Sequence, residues 1–420
     1  MKLNYDELVS VLASTLYTVM NKHVSVRKAF TSTCRRLRCS GPELPREIVF
    51  QLARSFISNY YRVKYIAEKC GKRKPSYRLL ARLYLHLHGE EYGIKHASRL
   101  EKAVRRDFPA LNSVLAEFME GWARLSYPEW FYNELASLIP KHEVEELLEA
   151  MNKRVFWIRV NTLKADVDKV LRTLEKEGVE GEQDPEIPFL IRISKTTKPL
   201  RTLSLFKEGV IILQDKASVL AVMALRPEPR MLIYDYAAAP GVKASLIMQL
   251  TENRARIVAA DISQKRLEAM ERMLKLYGVD RSRVVLTIAD SRDLKLERRA
   301  DLALVDAPCT SSGAVSKDPA IKIFLNNREL VYAAKSVQVG LLHNALRQVD
   351  RVVYATCSLL PEEGEEVVED VLRRGVEQRV RDAGIKTRKG YAKYSIWNHV
   401  HRTMPHLDMC EGFFVARFEK

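Results

Sequence analysis

Three apolar runs in the second half of this chain each close on an aspartate. Ile257-Val258-Ala259-Ala260 leads to Asp261, Val284 through Ala289 leads to Asp290, and Leu302-Ala303-Leu304-Val305 leads to Asp306. Runs this short and continuous read as strands buried on both faces, the pattern of a parallel sheet covered by helices. In an open α/β sheet, ligands gather beyond the carboxyl ends of the strands. A further run, Met231 to Asp235, comes before them. Asp261 lies 26 residues past Asp235, about where a doubly wound fold places a carboxylate that grips a ribose diol.

The turn after that first strand is Ala237-Ala238-Ala239-Pro240-Gly241-Val242-Lys243. Small residues let a ligand approach the backbone, and the helix that follows offers free amides to a carboxylate such as that of methionine. Asp290 then suits an adenine exocyclic amine. Alone the turn is a weak signal, and the ladder of aspartates is what strengthens it.

Two thiols fall at strand ends of the same sheet. Pro308-Cys309 follows Asp306, and Arg351 to Ala355 is a strand-like run followed by Thr356-Cys357-Ser358. Thiols beside a carboxylate suit one particular problem, because carbon 5 of a pyrimidine is too poor a nucleophile to take a methyl group directly. A thiolate that adds to carbon 6 converts the ring to an enamine, which can. A carboxyl group at the N3 and N4 edge absorbs the charge that develops. The residues alone leave open which cysteine attacks.

Asp306-Ala307-Pro308-Cys309 and Thr356-Cys357-Ser358, with Pro361-Glu362-Glu363 behind them, resemble the paired motifs of the RsmB/Sun family of RNA cytosine-C5 methyltransferases. The resemblance extends over roughly the last 290 residues through Tyr127-Pro128-Glu129-Trp130, Arg159-Val160-Asn161-Thr162, Gln214-Asp215-Lys216-Ala217-Ser218, Ala238-Ala239-Pro240-Gly241 and Gly412-Phe413-Phe414. It implies a Rossmann-like domain that binds S-adenosyl-L-methionine through residues 237–243, Asp261, Arg266, Asp290 and Asp306. It further implies attack by Cys357, release assisted by Cys309, and Lys243 reaching the active centre beside Asp306. Arg159 and Asn161 match the family's RNA-side signature. The chain departs from the family at Ala237, Val242, Ala244 and Gly364, where cysteine, glycine, threonine and asparagine are usual. A β-branched residue tolerates positive φ badly, so cofactor binding requires an ordinary backbone at Val242.

The formal net charge is +16, and residues 1–127 carry 23 Lys+Arg against 11 Asp+Glu, hence 12 of that surplus. This segment is the expected electrostatic footprint for a nucleic acid. Its pattern is helical from Tyr5 to about Glu120, with Leu8, Leu12 and Leu16 on one face and Val49, Leu52, Phe56 and Tyr60 on another. By position it resembles the NusB-like domain that some family members carry. Its densest basic clusters are Arg35-Arg36-Leu37-Arg38 and Lys72-Arg73-Lys74, suited to phosphates, with Tyr60, Tyr61 and Tyr77 near enough to offer stacking. The plainer reading is a solvated helix face with tyrosines packed inward.

Phe156 to about Ile193 reads strand, helix, turn, strand, with Phe156 to Val160 first, Val167, Val170, Leu171 and Leu174 as the helical stripe, and Gly178 ending it. This resembles the family's small RRM-like extension. The catalytic domain is expected to open with Val210 to Leu213. The expected fold is therefore multidomain: an all-α domain over 1–126, an RRM-like α+β module over 127–208, and an α/β Rossmann-like methyltransferase domain over 209–420.

Six cysteines match no disulfide framework and no zinc spacing, which favours a reducing interior and no metal. Asp6 and Glu7 stand where a signal peptide would be basic and apolar, and no apolar run approaches the ~18 residues of a membrane span. A cytoplasmic monomer acting on transfer or ribosomal RNA, without membrane contact, is the expectation. Its rivals are the same reaction on DNA and a catalytically silent RNA-binding factor on the same fold. The Thr-Cys-Ser motif and the RRM-like module favour RNA, and the retained thiols argue for catalysis.

Overall fold

The computed structural model describes residues 5–41, 44–94 and 98–420. The chain divides into two compact units. One holds the residues up to Asn152 together with Val315–Leu330, and the other holds Lys153–Ala314 and Val331–Lys420.

The first unit is helical, from Tyr5–Lys22 to Lys141–Asn152. Leu8, Leu12 and Leu16 are buried with Val49, Leu52 and Phe56 in one core, because residues three and four apart share a helix face. The segment Val315–Leu330 is the unexpected member. Ala320 and Ile323 enter that core, Arg54 donates to the carbonyls of Ser316 at 2.5 Å and Lys317 at 2.9 Å, and the Val26 amide donates to Asp318 at 3.2 Å. Lys322 is fully buried. Its ammonium donates to Ser58 O, Leu125 O and Asn152 Oδ1 at 3.0, 3.3 and 2.6 Å and lies 4.0 Å from the Tyr127 ring centroid. Tyr61 follows the plainer of its two readings: it is 7% exposed and donates its hydroxyl to Lys322 O, which leaves it no stacking face. Cys34 and Cys39 are joined by a disulfide; the expectation that no cysteine would be so paired fails for these two.

The second unit contains two sheets. The smaller comprises β1 (Phe156–Val160), β2 (Val179–Gln183), β3 (Leu190–Thr196) and β4 (Ile211–Leu213), ordered β2-β3-β1-β4, with every pairing antiparallel. The helix Val167–Lys176 links β1 and β2, capped by Asp166, whose side chain accepts from the amides of Asp168 and Lys169. β4 was expected to open the catalytic domain. It pairs with β1 instead, so this small sheet extends past the expected boundary at residue 208.

The larger sheet has nine strands among the described residues. β5 (Leu232–Asp235), β6 (Arg256–Asp261), β7 (Val284–Ile288), β8 (Leu302–Asp306) and β9 (Arg351–Thr356) run parallel. β10 (Arg379–Arg381), β11 (Arg388–Lys389), β12 (His401–Thr403) and β13 (Phe413–Glu419) complete it, ordered β11-β12-β13-β9-β8-β5-β6-β7 with β10 also on β13. β13 lies antiparallel to β9. The insertion from Arg379 to His401, shapeless in the sequence, supplies β10 and β11 and the start of β12.

Period-two alternation divides the central strands between two cores. Leu302, Leu304, Val353, Ala355, Phe413 and Val415 face one side; Ala303, Val305, Val352, Tyr354, Phe414 and Ala416 face the other. Burial on both faces is why these runs read as continuous apolar stretches. The order reverses at β5, which has β6 on one side and β8 on the other, and this creates the crevice at the carboxyl ends.

Candidate active site

Asp306 is level with Ala355 across β8 and β9, and the Ala307 amide donates to Ala355 O at 3.0 Å. The chain leaves both strands at nearly the same height, so Cys309 and Cys357 meet, with Sγ atoms 3.1 Å apart. Ser311 Oγ lies 3.3 Å from Cys357 Sγ and 3.9 Å from Cys309 Sγ. The two thiols are driven in opposite directions. The hydrogen bond between them holds Cys309 well above the usual thiol range, reinforced by burial and by Glu363. The same bond, aided by Ser311, lowers Cys357 against the effect of burial. Of the two, Cys357 is the thiol more readily ionised, and Cys309 is placed to donate to it.

One buried carboxylate pins both thiol loops. Glu363 accepts from the Thr310 amide at 2.8 Å and hydroxyl at 2.5 Å, from Ser358 Oγ at 2.6 Å and from Gln338 Nε2 at 3.1 Å. Its backbone carbonyl receives the Tyr354 and Thr356 hydroxyls at 2.8 and 3.1 Å. Behind it, Glu365 and Arg402 form a fully buried pair at 2.5 and 2.9 Å. Arg402 also donates to Ser358 O at 3.0 Å. Gly313 is pressed against the closing strand: its amide donates to Cys357 O and its carbonyl accepts from Gly412, both at 3.0 Å. A Cβ on Gly313 would stand 1.9 Å from Gly412 O. At Gly364, where the family has asparagine, a Cβ would come within 2.6 Å of Arg402 Nη2 and 2.9 Å of the Phe414 ring. The side chain is absent where the buried pair needs the space.

Lys243 donates to Asp306 at 2.7 Å, with Asp306 about a third exposed. Lys243 sits in the first turn of the helix Val242–Leu250, whose preceding residue Gly241 has φ of 95° and offers no side-chain cap. The left-handed position thus falls on glycine, and Val242 is absent from the residues with positive φ; its β-branch meets no backbone strain. A Cβ at Gly241 would approach Met270 to 2.6 Å. Ala238 and Ala239 are buried, Ala237 is half-buried and Pro240 is exposed.

Asp261 ends β6 almost wholly buried, accepting from the amides of Ser263 at 3.0 Å and Ala239 at 3.3 Å, with Arg266 at 2.9 Å. Asp290 follows β7 and is gripped by Arg292 through Nε at 3.0 Å, which lowers its pKa. Asp235, at the end of β5, is 1% exposed. Burial first, then the nearby Asp306 charge, push its pKa up to about 7.

Arg159 and Asn161 do not face outward. Arg159 is fully buried, donating to Gln249 Oε1 at 2.9 Å and Ser245 Oγ at 2.6 Å, and burial pushes its pKa down to about 9. Asn161 is 1% exposed and donates to the carbonyls of Gly209 and Tyr277 at 2.9 and 2.8 Å. As RNA contacts they are corrected by burial; they tie β1 to the helix Val242–Leu250 and to the loop after the helix Gln264–Leu276. The sequence also gave no notice of Ser311, Gln338 or the Glu365–Arg402 pair, since only tertiary packing brings them here. Glu363 had a signal in the Pro361-Glu362-Glu363 motif.

A family model described as 16S rRNA methyltransferase RsmB/F matches residues 222–419. One for the RsmF/B-like ferredoxin-like domain matches 127–198. The ribosomal RNA small subunit methyltransferase B of Klebsiella pneumoniae subsp. pneumoniae is 30% identical over 315 residues, covering 73% of this chain and 69% of that protein. Among solved structures, PH0851 aligns over 100% of both chains with a TM-score of 0.78 at 24% identity, a likeness of fold. A methyltransferase homolog from Pyrococcus horikoshii aligns over 71% of this chain and 97% of its own, with a TM-score of 0.63 at 27% identity. Fold and site are those of a Rossmann-type methyltransferase. The chain belongs to the RsmB/F family of S-adenosylmethionine-dependent RNA methyltransferases.

Proposed function

We propose that this protein forms 5-methylcytosine in RNA through a covalent bond between Cys357 and carbon 6 of the target cytosine. The observation that carries the reading is the thiol pair, 3.1 Å apart with Cys357 lowered and Cys309 raised. Cys357 Sγ adds as the thiolate, and its electron pair becomes the new sulfur–carbon bond while carbon 5 gains nucleophilic character. Asp306, paired with Lys243 at 2.7 Å, accepts from the cytosine N4 amino group, and Lys243 balances charge on the ring. S-adenosylmethionine, when bound, supplies the electrophilic methyl group. After transfer the carbon 5 proton leaves to solvent, the Cys357–carbon 6 bond breaks, and Cys309 donates its S–H to the departing Cys357 sulfur.

The turn fits the cofactor. The helix behind Gly241 has no side-chain cap, and Asp261 stands at the strand end where a ribose diol is expected. Residues 237–243, Asp261, Arg266, Asp290 and Asp306 would hold it. Ribosomal RNA is the substrate class favoured by the relative in Klebsiella. The proposed division of labour is a helical domain, expected over 1–126 but reaching Asn152 and taking in Val315–Leu330, and a small module, expected over 127–208 but reaching Leu213, presenting RNA to a catalytic domain formed by the rest of 209–420, in a cytoplasmic monomer. The test is transfer of labelled methyl to ribosomal RNA, transfer RNA and duplex DNA, followed by nucleoside analysis. Label in 5-methylcytidine of RNA is expected; label only in DNA, or in another nucleoside, overturns the reading.

A further inference from the structure

Arg35, Arg36, Leu37 and Arg38 are enclosed by the Cys34–Cys39 disulfide, whose Cα atoms are 5.4 Å apart. The helix Val26–Thr33 ends where the ring begins, with Cys34 N donating to Phe30 O. The amides of Arg36 and Leu37 both donate to Thr33 O, at 3.0 and 2.9 Å. Cys39 is buried, and Cys34 and Leu37 pack against the helical core. With both ends and the apolar residue anchored, Arg35, Arg36 and Arg38 are left exposed. Among the described residues neither Arg35 nor Arg36 has a carboxylate partner.

The same stretch of chain carries more positive charge. Arg27, Lys28 and Arg46 are exposed. Arg27 lies 4.4 Å from the Phe50 ring centroid and Arg46 lies 5.9 Å from that of Phe30, contacts that hold guanidinium groups in place without neutralising them. A ring this short constrains little of the unfolded chain. Its effect is on the shape of the turn.

We infer that this disulfide-closed arginine turn is a docking site for RNA backbone phosphates, and that closing the ring pre-organises it. The inference rests on the proposed action on RNA and adds a surface to it. Arginine suits the role because its planar fork matches phosphate oxygens and stays charged. A turn fixed before binding loses less freedom on contact. The ring closes by exchange with a low-molecular-weight disulfide. One protein thiolate displaces the first small thiol, the second displaces the other, and two electrons and two protons leave with the released thiols.

The test is equilibrium binding of a small-subunit ribosomal RNA transcript to the full-length protein over a range of salt concentrations, with methyl transfer measured alongside. Arg35→Gln/Arg36→Gln is expected to weaken binding roughly tenfold and to flatten the log–log salt slope by about 1.4, for two lost phosphate contacts at ~0.7 each. Cys34→Ser/Cys39→Ser, with charge unchanged, is expected to weaken it about threefold, and dithiol treatment of the wild type should do the same. Unchanged affinity and slope in the arginine variant, with wild type binding and methylating normally, overturns the docking site alone. Equal affinity of oxidised and reduced protein overturns the pre-organisation. Absence of RNA binding by the wild type overturns the site and the RNA reading together.

Discussion

The sulfur atoms of Cys309 and Cys357 stand 3.1 Å apart, one thiol raised and the other lowered by the hydrogen bond they share. The asymmetry gives each a separate task and makes the pair testable by pH. In single-turnover reaction with RNA, attack should slow as pH falls through the Cys357 pKa, because only the thiolate adds. In Cys309→Ala the donor is lost, so the acid limb of adduct formation should move to higher pH. Rates measured between about pH 6 and 10 check this, and a limb that stays in place contradicts the coupling.

Glu363 holds both thiol loops with four accepted hydrogen bonds. Glu363→Ala leaves buried donors unpaired and should cost about 3 kcal/mol or more of stability. Glu363→Gln keeps the shape and lets the Thr310 and Ser358 hydroxyls turn, so about 1 kcal/mol is expected. Urea unfolding separates the two.

Gly313→Ala would drive a methyl group into the Gly412 carbonyl, 1.9 Å from the ideal Cβ position. The Cys357 loop and the closing strand would have to part. Methyl transfer should fall by about 100-fold, since displacement of about 1 Å at a reacting group has that effect, while the folded protein persists in circular dichroism.

Asp235 titrates at about 7 in the folded chain against about 3.9 when unfolded. A raised carboxyl contributes stability that is full below about pH 4 and is lost as pH rises through about 7, up to about 4 kcal/mol in all. Asp235→Asn should therefore raise the melting temperature at about pH 8 and leave it nearly unchanged at about pH 4. Equal shifts at both would contradict the assignment.

Arg159→Ala tests the correction made by burial. It removes the donors to Gln249 and Ser245 and should destabilise the fold by about 3 kcal/mol, while RNA affinity of the protein that remains folded stays within about twofold of wild type. A selective loss of RNA affinity would return Arg159 to the RNA side.

The sheet was legible because its central strands are buried on both faces and so read as unbroken apolar runs, as before Asp261 and Asp306; the run before Asp290 is equally apolar in sequence but forms the edge strand, with Val285 and Ile288 exposed. The thiol motifs were legible because Cys309 and Cys357 follow such runs directly. Features set by distant partners were not. A fully buried arginine reads locally like a surface one, and only the meeting of β1 with the helix Val242–Leu250 buries Arg159. Lys322 and its flanking segment follow the Pro-Cys loop in sequence but belong to the helical unit. β11 has two residues and no pattern of its own, and Cys34 and Cys39 are joined by a turn whose residues carry no Gly or Pro signal.

The central claim is tested most directly by incubating Cys309→Ala, Cys357→Ala and wild type with RNA and S-adenosylmethionine, then denaturing. The account predicts a protein–RNA adduct that survives denaturation in Cys309→Ala, none in Cys357→Ala, and turnover without accumulation in wild type. An adduct in Cys357→Ala, or none in Cys309→Ala while wild type methylates RNA, would contradict it.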